Sequence, residues 1–140
     1  MTTINAYIGF QGQAREAMEF YKSCIGGELN LMTVGSSPMA AQCPEAIHGQ
    51  IMHSSLVKES LVLMATDMST PGDYVKGNNI ALSVNCSSEE EINNFFEKLS
   101  EGGKVIDSLK KQFWGGIFGV LEDKFGIRWM FNYEEHKNKQ

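Results

Sequence analysis

The stretches EFYKSCIGGEL, residues 19–29, and NFFEKLSEGGKV, residues 94–105, decide the fold, because they are one pattern used twice. Each holds an aromatic pair, a helical tail, a Gly pair and the start of a strand, displaced by about 75 residues. A Gly pair stops a helix because Gly takes the positive-φ conformations that close a C-terminus. Upstream of the first pair, Ala17, Met18, Tyr21, Cys24 and Ile25 recur at helical spacing, which predicts an amphipathic helix from Gln13 to Ile25. Upstream of the second, Ile92, Phe95, Phe96 and Leu99 do the same, and Ser88 with Glu91 forms a capping box that opens a helix over Ser88 to Glu101.

Strands flank both helices. In the first half Ile4–Phe10 precedes the helix, Leu29–Val34 follows it, and His48–Val57 with Leu61–Asp67 reads as a hairpin turning at Lys58-Glu59. In the second half the matching runs are Asn79–Cys86, Lys104–Ile106, Phe113–Leu121 and Ile127–Tyr133. The last two meet in VLEDKFGIRWMFNY, residues 120–133, where Asp123 to Gly126 separate two apolar runs as a turn does. Beyond that turn Ile127, Trp129, Phe131 and Tyr133 share a face that must be buried. Arg128, Met130 and Asn132 share the other, a mixture of cation, thioether and amide that suits a cavity wall. Each half therefore reads strand, helix, strand, strand, strand. The expected fold class is α+β, a single domain over 1–140 built of two βαβββ modules at 4–67 and 79–133, with a solvated tail at 134–140. GSSPMAAQCPEAI, residues 35–47, reads as a long loop of the lid type, and MSTPGDYVKGN, residues 68–78, as the linker between halves.

Composition narrows the function. With 140 residues the chain is long enough for one real core. Twelve Lys and Arg against seventeen Asp and Glu leave a net charge of −5 and no basic run to meet phosphates, so no nucleic-acid partner is expected. MTTINAYIGF lacks the pattern of a signal peptide and no long apolar run occurs, which predicts a cytoplasmic protein with no membrane partner. Cys24, Cys43 and Cys86 are odd in number and widely spaced, as reduced thiols are.

Several residues tempt without carrying chemistry. His48 and His53 are an odd number of residues apart, so on a strand they face opposite sides. His136 lies in the charged tail. Glu89, Glu90 and Glu91 open a helix, where negative charge suits the dipole.

Taken together, REAMEFYKSCIGGEL (15–29), LVLMATD (61–67), NIALSVNC (79–86) and WGGIFGVLEDKFGIRWMFNY (114–133) resemble the vicinal oxygen chelate superfamily of glyoxalase and bleomycin-resistance proteins, in particular its PhnB-like branch. The resemblance spans Ile4 to Tyr133. It implies curved sheets enclosing a cavity, helices outside, and a homodimer. Some PhnB-like proteins carry a demethylubiquinone methyltransferase label, but no Gly-rich turn here is placed to hold a nucleoside cofactor. In metal-dependent relatives the first and last strands and those flanking the linker supply His, Gln or Glu ligands. The positions matching those here are Ala6, Met64, Asn79 and Met130. A methyl, two thioethers and an amide make no set for zinc or iron, so neither a metal nor another cofactor is expected.

With the turn at Lys58-Glu59, His53 pairs with Met64 and points inward with it, as the resemblance also favours. His53 is then either an acid, base or hydrogen-bond donor, or a satisfied structural histidine, and toward a metal it could contribute one bond, short of the three or four a tight site needs unless a partner chain or Asp67 supplied more. Trp114 stands beside two Gly where the family has a WG element, and is either core or a platform for a flat ligand. The expected ligand-binding set is Ala6, Ile8, His53, Met64, Asn79, Trp114, Arg128 and Met130, with His53 as the catalytic candidate. The leading expectation is a metal-free protein that holds an amphipathic or aromatic small molecule. A metal-independent isomerase or lyase using His53 comes second, and a metal-dependent lyase or dioxygenase third.

Overall fold

Tyr21, Met18, Ala17 and Ala14 are buried along one stripe of a helix, α1, at Ala14–Ile25, as their spacing predicts. Its partner α2, Glu89–Leu99, buries Ile92, Phe95, Phe96 and Leu99. Each such side chain contributes about 1.5–3 kcal/mol on leaving water, which outweighs the weak intrinsic stability of helices this short. The computed structural model describes residues 1–68 and 74–135. Linker positions 69–73 and tail positions 136–140, with His136, lie outside the described residues.

The chain divides into two compact units, Met1–Val75 and Lys76–Gln140. In the first, strands β1 (Ala6–Gly9), β2 (Glu28–Thr33), β3 (Ile51–Lys58) and β4 (Leu61–Thr66) form one sheet in the order β1-β4-β3-β2. β1 runs parallel to β4, and the other neighbours are antiparallel. In the second, β5 (Leu82–Asn85), β6 (Lys104–Lys111), β7 (Ile117–Glu122) and β8 (Arg128–Tyr133) repeat the scheme in the order β5-β8-β7-β6, with β5 parallel to β8. The architecture is α+β, with the element order of two βαβββ modules. Each helix covers one face of its own sheet, α1 against β2, β3 and β4 and α2 against β7 and β8.

The Gly pairs owe their second member to crowding. A Cβ on Gly27 would stand 2.8 Å from the Val57 carbonyl oxygen, and one on Gly103 would collide with the Glu122 carbonyl oxygen. In both units, then, the backbone presses on the neighbouring strand at the residue just before the strand that follows the helix.

The helix starts differ. Ser88 caps α2 by accepting from the Glu91 N–H at 3.0 Å, while the Glu91 carboxylate accepts from Ser87 N–H at 2.8 Å. At α1 the capping position holds Gln13, which makes no side-chain cap bond. The acceptor comes instead from the end of β4: Asp67 Oδ1 takes the N–H groups of Gly12 and Ala14 at 2.8 and 3.0 Å, and its Oδ2 takes that of Ile51 at 2.9 Å. One buried carboxylate thus fastens the helix start and the start of β3 to β4.

Several boundaries depart from expectation. β5 begins at Leu82, not Asn79, because Asn78 and Asn79 form a bend, as Asn residues favour. β6 runs on to Lys111, and Phe113 lies in the turn between β6 and β7, closed by the Gln112 N–H to the Gly116 oxygen at 2.7 Å. The β3–β4 turn is Glu59-Ser60, with Lys58 opposite Leu61. Lys58 Nζ donates to the Ile25 carbonyl at the end of α1 at 2.8 Å, which holds Lys58 in the strand and leaves Glu59 to adopt φ 54°. Moving a turn by one residue changes the pairing by two, so every side chain keeps its face.

Candidate functional site

With one face of each sheet under a helix, the chemistry is sought on the other. In the first unit that face carries His53 and Ser55 of β3, Met64 and Val62 of β4, Met32 and Asn30 of β2, and Tyr7 of β1. Ser55, not His53, lies opposite Met64; His53 stands one pair further along the same face and opposite Met32. Tyr7 stands opposite Met64, and its hydroxyl lies 3.0 Å from His53 Nδ1, with the rings edge to face at 5.6 Å between centroids. That bond engages Nδ1 and leaves Nε2 of the same ring without a hydrogen-bond partner among the described residues, beside thioethers. Tyr7 is 54% exposed, so a ligand can reach the pair.

The same register places Ala6 and Ile8 elsewhere. They stand opposite Leu63 and Ala65, on the face that α1 covers, so the residue of β1 that joins His53 and Met64 is Tyr7. Asp67, the carboxylate that could have added a metal donor to His53, is committed elsewhere: its two oxygens accept from three backbone N–H groups. His48 is a structural histidine. Its Nε2 lies 2.9 and 3.1 Å from the Ala40 and Cys43 carbonyl oxygens, so it must be the donor, and it ties down the loop over residues 35–47. That loop contains two single-turn 3-10 helices, Ala40–Gln42 and Glu45–Ile47.

In the second unit the helix-free face carries Arg128, Met130 and Asn132 of β8, Ser83 and Asn85 of β5, and Phe118, Val120 and Glu122 of β7. Met130 occupies the place of Met64 in the first unit, Ser83 that of Tyr7, and Val120 that of Ser55. Arg128 takes the place of Val62. Its Nη2 lies 4.0 Å from the Glu122 carboxylate, and its Nε is shut off from solvent with no hydrogen-bond partner among the described residues. An unpaired buried donor costs about 1–3 kcal/mol. Asn79 is off the strand and exposed, so it is not brought beside Met130. Trp114 is half exposed at the tip of the β6–β7 turn, edge to face with Phe113 at 5.0 Å, and is not a core residue.

The metal-binding positions of the superfamily do not fit an ion here. Ala6 faces the helix, Asn79 stands in a bend, and Met64 and Met130 are thioethers. Among the described residues no three His, Cys, Asp or Glu side chains converge on a point where a metal could sit. Among the described residues no helix is long and apolar enough to cross a membrane.

Comparison with known proteins gives the same family. The model described as the Glyoxalase/Bleomycin resistance protein/Dioxygenase superfamily matches residues 3–131. The chain is similar to PA1353 from Pseudomonas aeruginosa, with 36% identity over 96% of this chain and 98% of that one and a TM-score of 0.82. It is also similar to the PhnB protein from Bacillus cereus, with 25% identity over 94% and 99% of the two chains and a TM-score of 0.72. Protein YjdN of Escherichia coli K12 is 26% identical over 98% of this chain and 99% of its own length.

Proposed function

The chain belongs to the glyoxalase/bleomycin resistance protein/dioxygenase superfamily and is PhnB-like within it, and from that premise we propose that it binds a small amphipathic or aromatic molecule, without a metal, on the helix-free faces of its sheets. One observation carries this reading: the Tyr7–His53 pair, hydrogen-bonded at 3.0 Å and open to solvent, set beside Met32 and Met64. Thioethers adapt to varied apolar shapes, and an imidazole held at Nδ1 supplies one directional contact through its other nitrogen, the usual division of labour in a small-molecule site.

The test is a melting-temperature screen of aromatic and amphipathic compounds, followed by elemental analysis of protein purified without chelators or affinity metals. A binder at a hundred times its Kd adds about 2.7 kcal/mol, and His53→Ala should reduce that gain. Near one equivalent of zinc, iron or manganese, lost on His53→Ala, would restore the metalloenzyme reading.

A second reading is favoured by the same hydrogen bond. Tyr7 fixes the orientation of His53, as a general acid or base requires, so a metal-independent isomerase or lyase remains the alternative. Turnover of a bound ligand by wild type and not by His53→Ala would select it.

A further inference from the structure

Arg128 is the unexplained group of the second unit. It stands on the helix-free face of β8, where the equivalent position of the first unit is Val62, and nothing in the packing of the sheet calls for a cation there. Among the described residues its side chain makes no hydrogen bond. Its one ionic neighbour, Glu122, is at 4.0 Å, beyond hydrogen-bond reach, and its Nε–H is desolvated and unpaired. Buried polar groups in folded proteins are almost always satisfied, so a donor left in this state points to an acceptor that arrives from outside.

We infer that Arg128 recognises an oxyanion, a carboxylate or a group of like shape, at the polar end of an amphipathic ligand lying on this face. The inference deepens the small-molecule reading above and rests on it. Charge supports the choice of an anion over a neutral acceptor. Across three strands the residues in register are Arg128, Glu122 and Lys104, two cations about one carboxylate, so the row is net positive. Asp107, opposite Val120 on this face, pairs with Lys110 at 3.6 Å. A planar guanidinium presents adjacent N–H groups in the fork that a carboxylate accepts, and Glu122 leaves that fork unfilled. Away from Arg128 the face turns apolar through Met130, Val120 and Phe118, which would take a hydrocarbon or aromatic body. It ends at Asn132, whose amide donates to Asn85 only at 3.5 Å.

The experiment uses the full chain, labelled with nitrogen-15 and titrated separately with sodium octanoate and 1-octanol, which share an apolar body and differ in the head group. The chain has two arginines, Arg15 and Arg128, so the Nε–H signal of Arg128 can be followed directly. Octanoate should bind roughly tenfold more tightly than octanol and move that signal, as a charge-assisted pair would. Arg128→Gln should bring the two affinities together, and Glu122→Gln should strengthen octanoate binding while leaving octanol unchanged. The last arm decides the matter should Arg128→Gln fold poorly. Equal affinities in the wild type, a preference that survives Arg128→Gln, or an Nε–H signal unmoved at saturation would overturn the inference while leaving the small-molecule reading in place. Binding of neither compound would overturn both.

Discussion

At the scale of single residues, two side chains do work that their neighbours in sequence do not reveal. Asp67 ends a strand, yet it satisfies the N–H groups of Gly12, Ala14 and Ile51, which no local residue serves. Replacing it with Ala would strand two buried donors, those of Ala14 and Ile51, and the part-buried one of Gly12, and we expect a loss of about 2–4 kcal/mol, read by urea unfolding. Asp67→Asn, which keeps an acceptor oxygen, should cost less. Tyr7 holds the ring of His53, so Tyr7→Phe should leave the fold intact while releasing Nδ1 from its hydrogen bond; nitrogen-15 shifts of His53 that do not change would refute the bond. Cys86 gives a chemical check. Burial, with a smaller contribution from the charge of Glu91, pushes its thiol up to about 12. It should therefore resist alkylation at pH 8 while Cys43, less buried, reacts. The sign for stability follows, since a raised pKa keeps the folded state protonated while the unfolded chain ionises above its ordinary value of 9.0, so Cys86 makes the fold less stable as pH climbs from there toward 12.

At the scale of elements, the helix terminators and the long loop are the informative parts. Gly27 sits at φ 101° with the Val57 oxygen where a Cβ would stand, so Gly27→Ala combines backbone strain with a backbone clash. We expect a loss of about 2–4 kcal/mol, measurable as a fall in melting temperature, whereas Ser88→Ala at the start of α2 should lose only about 1 kcal/mol. The loop over residues 35–47 was expected to act as a lid, and its base is tied. Val34 and Gly35 donate to the Gln50 and His48 oxygens at 2.9 Å, and His48 donates back across the loop to Ala40 and Cys43. His48→Ala should speed amide exchange through residues 36–47 and leave Leu82–Asn85 unaffected; equal exchange in both proteins would show that the ring does not hold the loop.

At the scale of the whole molecule, the two units are one topology with different furniture on the helix-free face. Met64 and Met130 match, but Tyr7 becomes Ser83, Ser55 becomes Val120 and Val62 becomes Arg128. The resemblance implies a homodimer, and light scattering at micromolar concentration should return twice the chain mass; a monomer would end that expectation. The duplication was legible in the sequence because each of its signals is local. Helical spacing, Gly pairs, the Ser88–Glu91 cap and the alternation of Arg128, Met130 and Asn132 all concern residues within a turn or two of one another. The chemistry was less legible because it depends on pairing between distant strands. His53 and Met64 could be assigned to one face from a hairpin, since a turn displaced by one residue does not alter parity. No such constraint bound β1, whose parallel register against β4 is joined by no short turn, so Ala6 and Ile8 were expected where Tyr7 stands. Asn79 failed for the opposite reason, as a local bend shortened its strand. By itself the sequence determined the element order and the buried stripes, because short-range sterics and hydrophobic period set those. The tertiary structure alone decided which residue meets His53, what caps α1 and which donor of Arg128 goes unpaired, because those depend on backbone register over separations that carry no periodic trace.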